Sequence, residues 1–244
     1  MRGVRHGLIL AAVLLAAWQA LYWLVGEIAF RSPSETLRFT GGLLGTASFW
    51  PNLLETGRAF VLALALSVVF GLGAGFLLGV SRLAHAVFEP MLVASYAIPK
   101  ITLYPILLLM FGLGMPGKVA FGVIHGVIPI ALFTTSAVRH IRPVLVKTGR
   151  VLGLGPVEMS WRILLPAAMP EIFAGLRIGF ALTMIGVILG EMFASQRGIG
   201  FMLMNAIGLH NVDVIMALTF LLTVFAAAAS TVLLSVNRRM QHTR

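Results

Sequence analysis

The sequence predicts an all-α integral membrane protein with six transmembrane helices, and three observations carry that prediction. Hydrophobic residues make up 59% of the 244 positions and charged residues only 11%, too few to coat a soluble domain of this size. Six apolar segments approach the ~20 residues that a helix rising ~1.5 Å per residue needs to cross a ~30 Å hydrocarbon layer. The basic residues, which bring the formal net charge to +10, gather in the short connections between those segments. That gathering orients a chain in a bilayer, and it argues against nucleic acid as the partner. With no cysteine in the chain, disulfides and thiolate metal sites are excluded.

The first segment, 7–25, follows Arg2 and Arg5 and closes with Trp18, Tyr22 and Trp23, an aromatic cluster suited to the membrane interface. It has no convincing small-x-small cleavage site and reads as a retained helix rather than a signal peptide. Residues 26–58 connect it to the second span. Ser32-Pro33-Ser34-Glu35 and Trp50-Pro51-Asn52 mark two helix starts there, expected as short interfacial helices or a plain loop.

The second span, 59–80, repeats Ala59, Ala63, Ser67, Gly71, Gly75 and Gly79 at every fourth residue. Lipid solvates leucine as well as another helix does, so helices associate in a membrane where small residues let backbones approach. Gly122 and Gly126 in the fourth span repeat the device, as do Gly175, Gly179, Gly186 and Gly190 in the fifth. A tight bundle is expected.

The third span, 88–112, contains Ile98-Pro99-Lys100 and Tyr104-Pro105, and each proline removes a backbone donor and should kink the helix. Lys100 falls ~18 Å along it by the helical rise, near mid-bilayer. An ammonium there needs a wet cavity or a partner. Lys100 either attracts an anionic solute or forms a structural pair, with Glu191 the first candidate. The fourth span, 119–138, carries His125, expected as a hydrogen-bonded packing residue or, alternatively, a ligand. The fifth, 174–194, carries Arg177 and Glu191, the latter read at the outer mouth or the headgroup region. The sixth is 213–236. Pro99, Lys100, Tyr104, His125 and Glu191 are the candidate pathway residues.

With the N-terminus inside, the inner segments hold twelve basic residues: Arg2, Arg5, Arg82, Arg139, Arg142, Lys147, Arg150, Arg162, Arg177, Arg238, Arg239 and Arg244. The outer ones hold five: Arg31, Arg38, Arg58, Lys118 and Arg197. The imbalance predicts both termini, and the long loop 139–173, on the cytoplasmic side.

Gly112-Leu113-Gly114-Met115-Pro116-Gly117-Lys118-Val119 nearly spells a phosphate-binding loop, but Val119 stands where a metal-binding hydroxyl is needed and no strand precedes it. No protease or hydrolase signature is present. No catalytic residue and no metal site are predicted, and the chain is not expected to be an enzyme.

Within the loop, Gly153 is followed ten residues later by Ile163, then Leu165 and Pro166. Around it stand Pro33-Ser34, Trp50-Pro51, Ile98-Pro99-Lys100-Ile101, Phe111-Gly112-Leu113-Gly114, Leu164 to Pro170, Gly175-Leu176-Arg177, Glu191-Met192 and Gly198-Ile199-Gly200. In this order they resemble the ABC-type import permeases, closest to the branch serving nitrate, sulfonates and taurine. The resemblance implies a type I ABC importer fold in the inner membrane: an N-terminal anchor helix over 1–30 and a five-helix core over 31–244. It implies ABC ATPase subunits that carry ATP and Mg, an extracytoplasmic solute-binding protein and a second permease copy, all in contact with lipid. It makes 139–173 the ATPase-coupling loop, with Lys147, Arg150, Gly153, Leu154, Gly155, Glu158, Ile163, Leu165 and Pro166 as its working residues. Lys147-Thr148-Gly149 departs from the acidic Glu-Ala-Ala-like triplet usual there. A short helix around 147–158, broken at Gly153-Leu154-Gly155-Pro156, would present an apolar tip, and Pro166 and Pro170 would stop the helix that follows. The alternative is an ATP-independent secondary carrier or channel using Lys100, His125 and Glu191 as a relay.

Overall fold

Small residues decide where the helices meet. In the structure, a computed structural model describing residues 2–242 and all side chains among them except those of 2–5, 8, 194 and 236–242, every regular element is helical. Arg2, Arg5, Arg238, Arg239 and Arg244, counted above for orientation, lie outside the described side chains. Helix α3 (Phe49–Val80) buries Ala59, Ala63, Ser67, Gly71, Gly75 and Gly79 against α6 (Met115–Arg139). At Gly75 an added Cβ would stand 2.5 Å from Thr134 Cβ and 2.6 Å from the Ala131 carbonyl oxygen, so only glycine allows this approach. The Thr135 hydroxyl uses the gap to donate to the Gly75 carbonyl at 3.1 Å. Helix α9 (Leu165–Ala194) docks on a neighbouring face of α6 in the same way, with Gly175 against Phe133 and Gly179 against Ile130. Gly186 lies on Gly122 and His125, and Gly190 on Lys118. Helix α6 is therefore the centre of a three-helix core.

Among the described residues four helical runs are long and apolar enough to cross a membrane: α3, α6, Pro156–Phe193 (which contains α9) and Val212–Ser235 of α11 (Val212–His242). A fifth crossing is a broken one. Helix α4 (Arg82–Ala97) stops, a 3₁₀ turn covers Lys100–Leu103, and α5 (Tyr104–Phe111) leaves at 93° to α4. This corrects the kinked continuous helix expected over 88–112. Ile98, forced from helical backbone by the proline after it, is extended (φ −64°, ψ 131°), and Pro99 continues extended at ψ 99°. Two successive non-helical residues lose the helix direction, where one would only bend it. Pro105 opens α5, where a missing N–H costs nothing. Helix α1 (Arg2–Val25) covers the first expected segment, 7–25, and its described apolar stretch, Ile9–Val25, is shorter than the others.

Helix α2 (Pro33–Leu44) is the expected short helix after Ser32. Ser32 and Glu35 form a reciprocal capping box: Ser32 Oγ accepts from the Glu35 N–H at 3.3 Å, and Glu35 Oε2 accepts from the Ser32 N–H at 3.0 Å. Donation from the Ser32 hydroxyl, then from its backbone N–H, holds the Glu35 carboxyl below its ordinary value. The second helix start is not a separate helix: Trp50-Pro51-Asn52 is the first turn of α3, which begins ten residues earlier than the apolar run suggests. Leu43, Phe49, Ile199, Ala217 and Leu218 pack α2, α3, α11 and a helix missed from the sequence, α10 (Ile199–Gly208), into one cluster. Arg31 ties the linker before α2 to α11 through both carboxylate oxygens of Asp213, at 2.6 and 3.2 Å.

Candidate functional site

After α6 the chain makes a glycine-closed hairpin. Helix α7 (Pro143–Val151) ends at Leu152, and Gly153 takes the left-handed backbone (φ +71°) that closes it. The Leu154 N–H donates to the Gly149 carbonyl and the Gly153 N–H to the Arg150 carbonyl, each at 3.0 Å, so the last carbonyls of α7 are satisfied. Gly155 leads into α8 (Pro156–Met159), and a π turn over Ser160–Leu164 passes into α9. Pro166 and Pro170 do not stop that helix as expected. Pro166 sits in the first turn of α9, directly after the widened π turn, and α9 continues through Pro170. The hairpin is thus one helical run with the fifth span.

Gly149, from the unusual triplet, is where α7 rests on this run: an added Cβ would lie 2.6 Å from Ile163 Cδ1 and 2.7 Å from Met159 Sδ. Closing the hairpin this tightly leaves its apolar residues outside. Val151 is 87% exposed, Leu152 69%, Val157 71% and Trp161 68%. Trp161 borders the apolar groove beside α3, while Val151, Leu152 and Val157 form an exposed apolar cluster at the tip of the hairpin. Lys147, Arg150, Gly153, Glu158 and Pro166 are exposed around it, and Glu158 pairs with Arg162 at 3.3 Å. Leu154, Gly155, Ile163 and Leu165 are half-buried and form the root.

At the opposite end of α6 lies a polar knot that the sequence did not disclose. Lys118, expected in an outer loop, belongs to the first turn of α6 and is fully buried, as is Glu191 near the end of α9. Lys118 Nζ reaches Glu55 Oε1 of α3 at 3.0 Å and Glu191 Oε1 at 3.3 Å, and donates to the Arg197 carbonyl at 3.2 Å. Glu191 Oε2 accepts from the Thr56 hydroxyl at 2.8 Å and from the Gly200 N–H at 3.0 Å. Thr56 Oγ1 in turn accepts from the Ile199 N–H at 2.8 Å, and Asn52 Oδ1 from the Gly198 N–H at 2.7 Å. Three side chains of α3 and α9 therefore satisfy the free N–H groups at the start of α10, a cap supplied by other helices. Gly198, at φ +124°, lies directly on the Glu191 carboxylate, which leaves no room for a side chain.

The five candidate pathway residues are not one constellation. Glu191 belongs to the knot and pairs with Lys118, not Lys100. Tyr104 and His125 share an aromatic cluster: the Tyr104 ring lies 5.8 Å from that of Phe121 and 5.5 Å from that of Phe193, and Phe121 lies 4.8 Å from His125. His125 Nδ1 is 2.8 Å from the Phe121 carbonyl, the geometry of a hydrogen-bonded packing residue. Pro99 and Lys100 stand at the break between α4 and α5. Lys100 Nζ sits over the Tyr96 ring, 5.2 Å from its centre, and donates to the Tyr96 carbonyl at 3.2 Å. Tyr96 also borders a cavity of about 740 Å³ between α9 and α11, whose lining includes Arg177 and is otherwise largely apolar.

Residues 67–242 match a family described as the binding-protein-dependent transport system inner membrane component. The taurine transport system permease protein TauC of Escherichia coli (strain K12) is 26% identical over 236 residues, covering 94% of this chain and 86% of that protein. A probable ABC transporter permease protein of Haemophilus influenzae (strain ATCC 51907 / DSM 11121 / KW20 / Rd) is 31% identical over 219 residues, 88% of each. Among solved structures, the MetNI methionine ABC transporter in an inward-facing conformation matches with a TM-score of 0.68 at 20% identity, covering 77% of this chain and 93% of that one, a likeness of fold.

Proposed function

Because the chain belongs to the family of binding-protein-dependent transport system inner membrane components, we propose that it is the permease subunit of an ATP-driven importer for a small anionic solute. The observation that carries this reading is the apolar tip, Val151, Leu152 and Val157, held out on a hairpin whose second arm is continuous with α9. A soluble ATPase with a matching groove buries that tip, and the closing of the ATPase on ATP then moves α9 as a rod. Hydrolysis of ATP with Mg belongs to that partner. With Lys118 assigned to α6, the basic residues stand twelve to four in favour of the inner side, which supports a cytoplasmic hairpin. An extracytoplasmic binding protein delivers the solute, and two copies of the permease enclose the path. Each nucleotide state favours one of two packings of the bundle.

Arg177 lines the cavity between α9 and α11, Lys100 lies over the Tyr96 ring at its border, and a sulfonate of the taurine type suits these two charges. A proton relay through Lys100, His125 and Glu191 lacks continuity, since both oxygens of Glu191 and Nδ1 of His125 are engaged elsewhere. The test is uptake of taurine, as first probe, by the assembled transporter in proteoliposomes. Uptake is expected to need ATP on the hairpin side. Lys100→Met is expected to raise the half-saturating concentration about tenfold, the scale of one lost charged hydrogen bond, with ATPase co-purification unchanged. Uptake that ignores ATP contradicts the proposal, and unaltered kinetics in Lys100→Met removes the lysine from the path.

A further inference from the structure

We infer that the Lys118–Glu191 pair joins the lever-driven helix α9 to α10 and to the outer ends of α3 and α6, so that α10 follows the nucleotide state of the partner. This rests on the lever reading above. Pro156–Phe193 is one helical run of 38 residues, roughly 57 Å at the helical rise, with Val157 of the tip at one end and Glu191 near the other. A displacement imposed at Val157 is therefore delivered at Glu191. There it meets a knot drawing on α3, α6, α9 and α10, in which Lys118 and Glu191 are both fully buried.

Charge is what makes the joint specific. A small-residue interface alone is permissive: α9 offers α6 glycines at 175, 179, 186 and 190, and a one-turn slip would present small residues again at some of these contacts. The same slip would strand a buried ammonium and a buried carboxylate, which is far more costly than lost packing. The pair therefore fixes the register of α9 on α6. The second oxygen of Glu191, with Thr56, fixes the start of α10 to the same point through the Gly200 and Ile199 N–H groups. Lys118, Glu191 and Thr56 act as positioning residues. Lys118 is surrounded by Glu55, Glu191, Ser195 and the Arg197 carbonyl, so it is not free to meet a solute.

The permease has no cysteine, so Asn205→Cys on the exposed side of α10 gives a single thiol. In nanodiscs with the ATPase bound, its rate of maleimide labelling is expected to differ between the nucleotide-free complex and the complex held with ATP, Mg and vanadate. Glu191→Gln is expected to abolish that difference while the ATPase still co-purifies. Thr56→Val keeps the ion pair, the Gly200 bond and the side-chain shape but releases the Ile199 N–H, so it is expected to reduce the difference, and it serves as the test should Glu191→Gln fail to fold. A difference left at its full size by either folded variant overturns the joint. No difference in the parent complex overturns the claim that α10 follows nucleotide, yet leaves the lever standing so long as the ATPase co-purifies. Absence of co-purification in the parent is the separate failure, that of the lever.

Discussion

Gly75→Leu is expected to prevent the bundle from assembling, and Gly73→Leu, two residues earlier on the same helix, to leave it nearly unchanged. At Gly75 the first added carbon already collides with Thr134 Cβ and with a main-chain oxygen of α6, neither of which can swing away. Helix α3 must separate from α6, which opens the Thr135–Gly75 hydrogen bond and the neighbouring contacts of Gly71 and Gly79. Overpacking costs ~1–3 kcal/mol where side chains can adjust, and a backbone collision belongs at or above the top of that range. Gly73 has nothing within 4 Å of its missing Cβ and borders an open apolar groove of about 390 Å³. A melting profile in detergent checks the pair. A fall on the order of 10 °C for Gly75→Leu is expected from the stability scale of chains this size, with little change for Gly73→Leu. Equal melting of the two would mean that the stripe faces lipid.

Leu152→Asp and Val157→Asp are expected to release the ATPase while leaving the permease inserted and folded. Both side chains are more than two-thirds exposed, so the chain itself loses little when they change. In the complex, each would place a carboxylate where an apolar anchor is desolvated. Truncating such an anchor typically costs ~2 kcal/mol or more, about a thirtyfold loss of affinity, and a buried unpaired charge adds to it. Pull-down of the ATPase from solubilised membranes is the measurement. Retention of the ATPase by both variants would place the grip elsewhere on the chain.

The parts of the fold that follow from local spacing were legible in the sequence. Every glycine and alanine named in the stripe of α3 is buried against α6, because a four-residue recurrence is itself a statement about one helix face. The hairpin was legible for a similar reason: Gly153 needs left-handed backbone, and the following Gly155-Pro156 cannot continue α7. What failed was whatever depends on the partner across the bundle. Lys118 looked like a loop charge because it lies three residues into α6, and its complement is 73 residues away in the chain. Two lone charges, at the start of one apolar helix and near the end of its neighbour, were the available signal. The continuity of the Trp50-Pro51-Asn52 helix start with α3 and all of α10 were missed because these stretches are less apolar or shorter than a span, and they pack against α2 and α11. Pro166 and Pro170 were over-read in α9 and Pro99 was under-read after α4, since the effect of a proline depends on whether the residue before it can leave the helix.

The account stands on a hairpin that faces the cytoplasm. Val157→Cys, the only thiol in an otherwise cysteine-free chain, sits at its exposed tip. A membrane-impermeant maleimide should leave that thiol unlabelled in intact cells and modify it fully in inverted membrane vesicles from cells that express the permease without its ATPase. Labelling in intact cells would put the tip on the wrong side of the membrane for any ATPase to grip.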